Sequence, residues 1–159
     1  MIRAARAACL LAALVLAGGA SAEDAALVID GRVRQVQHLS VDMLRALPSE
    51  RRAVAFRTDR GESKATYLGV RLWALIERAG IDDDAPRWGD LRHVLAVTGK
   101  DGYVVMLSLG EIDPYLGNAP ILVAYERDGQ PIAGGLRLVV SGDAHGARSV
   151  RDMVHIEVR

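Results

Sequence analysis

Apolar runs in this chain are short, and three of the breaks between them carry Asp-Gly, at Asp30-Gly31, Asp101-Gly102 and Asp128-Gly129. Asp-Gly between apolar runs is a hairpin signal, because tight turns need backbone conformations that these two residues tolerate best. Such a chain does not build long helices; it folds as short strands around sheets. Leu27-Val28-Ile29 reads as a first strand that turns at Asp30-Gly31 and returns through Val33 and Val36. Ser40 caps a short helix with Val41, Leu44 and Leu47 on one face and Asp42 in its first turn, and Pro48 ends it. Ala53-Val54-Ala55-Phe56 is a short strand, and the polar stretch over 57 to 66 reads as a loop. Leu72, Leu75, Ile76 and Ala79 predict a helix over 71 to 79, with Gly80 as its left-handed cap. Residues 93 to 97 and 103 to 107 pair as a hairpin, and Ser108 with Glu111 has the spacing of a capping box before Pro114. Residues 121 to 126 and 136 to 140 are strand-like, while Val154, Ile156 and Val158 alternate as an edge or half-buried strand. The expected class is α+β, a mixed β-sheet domain with short helices.

The amino terminus carries a different signal. Arg3 and Arg6 precede an uncharged run over 7 to 20, and Ala20-Ser21-Ala22 supplies a small-residue cleavage site, so residues 1 to 22 read as a secretory signal peptide. The run is too short and alanine-rich for a membrane span, and the mature chain is not expected to cross a membrane. Residues 23 to 159 are one domain's worth of chain. Losing Arg3 and Arg6 leaves 18 of 20 basic residues against 20 acidic ones, so the mature part is near neutral and nucleic acid is not an expected partner. Only Lys64 and Lys100 are lysine, and alanine is abundant, as in GC-rich Gram-negative bacteria; the expected compartment is the periplasm. The single cysteine, Cys9, leaves with the signal peptide, so no disulfide or thiolate metal ligand remains.

Chemistry concentrates late in the chain. His38, His93, His145 and His155 lack the spacing of a metal site, and only His145 lies in a suggestive loop. From Leu136 a strand runs into Ser141-Gly142-Asp143-Ala144-His145-Gly146-Ala147-Arg148-Ser149-Val150-Arg151. Two glycines let backbone amides approach a ligand, and Arg148, Ser149 and Arg151 offer a fork-shaped donor, a hydroxyl and a second cation. The pattern suits a small polar ligand, phosphorylated or not; a Gly-Asp turn with solvated arginines accounts for it equally well.

Taken in order, Leu39-Ser40-Val41-Asp42-Met43-Leu44, Tyr67-Leu68-Gly69-Val70-Arg71-Leu72-Trp73, Asp101-Gly102-Tyr103, Ser108-Leu109-Gly110-Glu111-Ile112, Asp128-Gly129-Gln130-Pro131-Ile132 and Arg137 through Val150 carry a resemblance. Over residues 27 to 158 the series resembles the sulfite-oxidase-fold molybdopterin-binding domain. The resemblance implies a ligand pocket lined by loops at strand ends, with the pterin held partly by Gly146-Ala147-Arg148-Ser149-Val150. It also implies a molybdenum-binding cysteine after the strand over 53 to 56, where this chain instead reads Arg57-Thr58-Asp59. No soft thiolate stands there, so bound molybdenum is not expected. The dimerisation domain that follows in sulfite oxidases is not expected either. Arg57 takes roughly the position of the lost cysteine. A pterin's amino and amide edge suits a carboxylate, with Asp143 and Asp113 as readers; its carbonyl and hydroxyls suit Arg148, Arg137 and Ser149. Tyr67 and Trp88, read as loop residues, offer stacking faces, while Trp73 reads as core.

Small exported members without the metal ligand are similar to pterin-binding modules, some of them periplasmic partners of membrane-bound signalling proteins that control cyclic diguanylate. The first expectation is therefore a non-catalytic pterin binder that relays occupancy to such a partner. The alternatives are a molybdopterin-dependent oxidoreductase or its small subunit, and a structural or assembly protein with an empty pocket whose working feature is an edge strand.

Overall fold

The computed structural model describes residues 26 to 58, 61 to 84 and 88 to 159. The expected signal peptide and its cleavage site lie outside the described residues. Alternation along the strands produces two sheets that close on one core. The first sheet takes β1 (Leu27–Gly31), β2 (Gln37–Leu39), β5 (Val94–Gly99), β6 (Val104–Ser108) and β10 (Met153–Val158), in the order β2-β1-β10-β5-β6. The second takes β3 (Ser49–Thr58), β4 (Gly61–Arg71), β7 (Ile121–Arg127) and β8 (Gln130–Pro131) in that order, with β9 (Arg137–Val140) also paired to β7. The inward residues of both, among them Ile29, Leu95, Ile156, Val70, Val123 and Leu138, form the main core. Three short helices, α1 (Val41–Arg45), α2 (Leu72–Ala79) and α3 (Leu109–Ile112), add Leu44, Leu75, Ile76 and Ile112 to it. Mixed sheets with a few short helices confirm the α+β class.

Local chemistry accounts for most element ends. Ser40 Oγ accepts from Met43 N at 3.2 Å and starts α1. Gly80 ends α2 at a positive φ of +68, but its ψ of 137 is not that of the left-handed cap expected, and Trp73 packs half-buried against the core. The Asp30-Gly31 break is not a tight two-residue turn. Gly31, at φ +86, lies beside β10, where a Cβ would meet Val158 O at 2.2 Å, and the chain loops on before returning as β2. Val36 is exposed in that loop rather than on a return strand.

Three expectations fail in whole or in part, each for a tertiary reason. The stretch over 57 to 66 is not a loop: β3 and β4 form one long ladder from Ser49↔Val70 to Thr58↔Gly61. The far end of this hairpin, Arg57, Thr58 and Gly61 to Lys64, is polar on both faces and carries no period-two signal. The last strand is half-buried, one of its two expected readings, but it is no edge. β10 lies at the centre of its sheet, parallel to β1 and antiparallel to β5, and a register shift between Met153 and His155 changes which residues face inward. The capping box does not close, since Ser108 makes no side-chain cap bond and Glu111 reaches Arg148 instead.

Because Ile156 is fully buried on that central strand, its replacement by alanine removes core contacts from both flanking pairings. Ile156→Ala should lower unfolding stability by about 2 to 5 kcal/mol. Urea unfolding followed by circular dichroism measures it; a loss below 1 kcal/mol, small for a buried isoleucine, contradicts the placement.

Candidate functional site

The second sheet has a second apolar face. Phe56, Tyr67, Leu122, Ala124 and Val139 are buried there, on the side away from the main core. Strand β7 makes this possible: Ile121, Val123 and Tyr125 face the main core while Leu122 and Ala124 face outward, and all five are buried. On this floor the β4–β7 register sets Tyr67 opposite Arg127. The guanidiniums of Arg127 and Arg137 lie 5.9 and 5.6 Å from the centre of the Tyr67 ring, leaving Tyr67 2 % exposed.

Two adjoining cavities, of about 520 and 340 Å³, share Tyr67, Arg127, Arg137 and Arg151 and are two lobes of one groove. The larger is walled by residues 130 to 133 and Asp152; the smaller by Phe56, Arg57, Thr58, Ser63 and residues 145 to 147. Backbone bonding builds the inner wall. Arg57 N donates to Ala144 O at 2.9 Å, Arg57 and His145 pair as a parallel bridge, and a Cβ on Gly146 would touch the Phe56 ring at 3.4 Å. In the other lobe Gly134, at φ +92, lies so close to Asp152 that a Cβ would fall 1.9 Å from Oδ1, so only glycine leaves the carboxylate its place.

The groove is cationic. Among the described residues Arg57, Arg127, Arg137 and Arg151 line it against one acid, Asp152; Arg127 Nε is also 3.3 Å from Asp128 Oδ2. A backbone bridge between residues 137 and 151 holds two of these arginines side by side. Burial pulls the Arg137 guanidinium below its ordinary value, with the neighbouring Arg151 and Arg127 charges pushing the same way. Its Nε is buried with no hydrogen-bond partner. The Nε is out of a ligand's reach, but the half-buried Arg137 guanidinium shares the groove with three more cations, a setting that suits an anionic ligand.

Of the residues singled out from sequence, the fold brings together Arg137, Tyr67, Arg57 and His145. Tyr67 is a strand residue with its ring covered by arginines, not an open loop face. Arg148 and Asp143 do not reach the groove as ligand groups because they hold each other. Arg148 Nε donates to Asp143 Oδ2 at 2.9 Å and Nη2 to Oδ1 at 2.7 Å, while Nη1 donates to Glu111 Oε1 at 3.0 Å. The bonds to Asp143, then those to Glu111, raise the Arg148 guanidinium above its ordinary value. Ser149 is buried, its Oγ accepting from Val140 N at 3.5 Å. Asp113 is buried in a turn, where Oδ1 accepts from Tyr115 N at 2.7 Å. Trp88, at φ +71 and exposed, lines neither lobe. Arg127 and Asp152 escaped sequence reading; only the Tyr67↔Arg127 register and the Gly134 contact reveal them. Among the described residues no cluster of three or more His, Cys, Asp or Glu is placed to hold a metal, and no helix is long and apolar enough to cross a membrane.

The family model for the oxidoreductase molybdopterin binding domain matches residues 17–159. The chain belongs to that family. Among solved structures, the molybdopterin-binding domain described here is similar to the sulfane dehydrogenase SoxCD from Paracoccus pantotrophus. The TM-score is 0.69 at 16% identity, over 88% of this chain and 39% of that one. The likeness shows a shared fold, and this chain spans well under half the length of that protein. No curated protein matches it. For this family the group to test is a molybdopterin, a pterin with a phosphorylated side chain and a dithiolene. Arg137, Arg151, Arg127 and Arg57 suit the phosphate, and Asp152 suits the amino and amide edge of the ring. Residues 23 to 159 hold no cysteine, so this part of the domain has no thiolate to give a metal.

Two substitutions separate wall from ligand contact. Arg148→Ala should cost about 1 kcal/mol of stability, modest because the side chain is 40% exposed. Arg137→Leu removes a half-buried cation from beside two like charges and should stabilise the ligand-free domain by about 1 kcal/mol. Thermal and urea unfolding of both proteins checks the opposite signs.

Proposed function

We propose that this domain binds a phosphorylated pterin in the arginine-lined groove and serves as a binding module that contributes no metal ligand of its own. The observation that carries the reading is the gathering of Arg57, Arg127, Arg137 and Arg151 along one groove, where burial lowers the Arg137 guanidinium. Charge of one sign gathered over an apolar floor costs folding energy and is offset when an anion enters. Arg137 and Arg151 would grip the phosphate from adjacent backbone positions. Asp152 would accept from the ring's amino and amide edge, and the guanidinium planes on Tyr67 would give the flat ring a face to lie against.

In this reading the mature domain works in the periplasm, following the export signal over 1 to 22. There it reports occupancy to the periplasmic part of a membrane-bound signalling protein that controls cyclic diguanylate. The family match favours a second reading, a molybdopterin-dependent oxidoreductase or its small subunit, in which a partner supplies what the missing cysteine does not.

Native protein purified from its own periplasm distinguishes the two. Pterin fluorescence and an intact-mass adduct without stoichiometric molybdenum support the binding module; stoichiometric molybdenum with oxidoreductase activity displaces it. For the ligand itself, Arg137→Gln should weaken phosphorylated pterin by about 1.5 to 3 kcal/mol and an unphosphorylated pterin much less. Titration calorimetry with both forms measures this, and equal losses for the two would remove the phosphate from the proposal.

A further inference from the structure

The first sheet ends at β6, and that edge is built unlike the others. The β5 register, with Gly99 N donating to Tyr103 O and Leu109 N to His93 O, turns the backbone groups of Val105 and Leu107 toward β5. Those of Val104 and Met106 therefore point away from the sheet. No other backbone bond among the described residues reaches either one. Their side chains lie on the outer face, 47% and 46% exposed, while Val105 and Leu107 enter the core.

Unpaired edges are normally shortened, charged or covered. The other edges follow that rule. β2 has three residues and β8 two, β3 carries Glu50, Arg51, Arg52 and Arg57, and β9 is covered where Leu138 N donates to Val150 O. β6 reads Val-Val-Met-Leu-Ser, with no charge, no proline and strong β propensity.

We propose that β6 is a dimerisation edge, at which the β6 of a second copy of this chain pairs antiparallel about a twofold axis through Met106. In that register Met106 faces its own counterpart and Val104 faces Ser108, so the outward backbone groups meet and no like charges oppose. Exposed apolar groups sit at both ends of the strand. Tyr103 lies just before it, while Leu91 and Leu116 sit around Gly110 just after it, where a Cβ would meet them at 3.1 and 3.7 Å. Antiparallel pairing brings the Tyr103 end of one copy toward the Leu91 and Leu116 end of the other, the self-complementarity an isologous interface needs. The near-neutral mature chain adds little repulsion.

Sedimentation equilibrium of the purified mature protein tests this, with amide exchange at Met106 as a second readout. Wild type should have twice the chain mass and a protected Met106 amide. Met106→Lys, which sets two ammonium groups face to face, should weaken self-association by about tenfold or more with an unchanged circular dichroism spectrum. Because residue 106 faces itself, mixing Met106→Lys with Met106→Glu should restore a mixed dimer. A monomeric wild type at all accessible concentrations overturns the proposal, including the case in which β6 pairs only with a strand of another protein. So does a dimer indifferent to both substitutions. Should Met106→Lys fail to fold, the wild-type mass and amide protection still decide.

Discussion

Strand β7 is buried on both faces, and the rest of the molecule is arranged around that requirement. Its inward residues, Ile121, Val123 and Tyr125, close the main core against the first sheet, as any half-buried strand would. Its outward residues, Leu122 and Ala124, also need cover, and no third layer of sheet supplies it. The cover comes from Tyr67 and Phe56 on neighbouring strands, from the Gly146–Arg148 turn, and from the aliphatic stems and planar heads of arginines. Arginine is suited to this: it covers apolar area with its stem while keeping its charge at the rim. A structural need for cover and a functional need for cations are thus met by the same side chains.

That double role has an energetic consequence. Cations that cover an apolar floor are partly desolvated, and Arg137 is the extreme case, with burial and two like neighbours acting against it. Tyr67 and Asp152 offset part of that cost, and an anion in the groove would offset more. Stability gained from binding is then largest where folding alone did least. In the proposed reading a ligand that carries a phosphate gains over one of the same shape without it, because the phosphate meets the arginine charges.

How much of this was legible in the sequence depended on whether a signal was local. The cap at Ser40, the α2 stripe and the Gly99-to-Gly102 hairpin are local, and each appears as its residues predict. The β3–β4 hairpin was hidden because its far end, polar on both faces, shows no apolar alternation. The central place of β10 was hidden by a bulge that shifts its phase, and by polar residues that face solvent even in mid-sheet. At the site, Arg137 was visible as a cation leading into a glycine-bearing loop. Arg127 and Asp152 gain their meaning from a cross-strand register and a glycine contact that no local pattern encodes.

The Gly-Ala-Arg-Ser-Val stretch, which contributed most to the family resemblance, has a different physical basis from the one its motif suggests. Arg148 ties the loop to α3 through Glu111 and to itself through Asp143. Tyr103 Oη donates to Ala147 O at 2.9 Å from the first sheet, and Ser149 closes the loop against Val140. These contacts join both sheets to the wall of the groove, so the stretch has a structural role whether or not a pterin ever enters. Retention of that motif alone therefore says little about binding. The weight rests on what the wall encloses: Arg57 near the position where the family places its metal ligand, and three further arginines deeper along an apolar floor with one carboxylate among them.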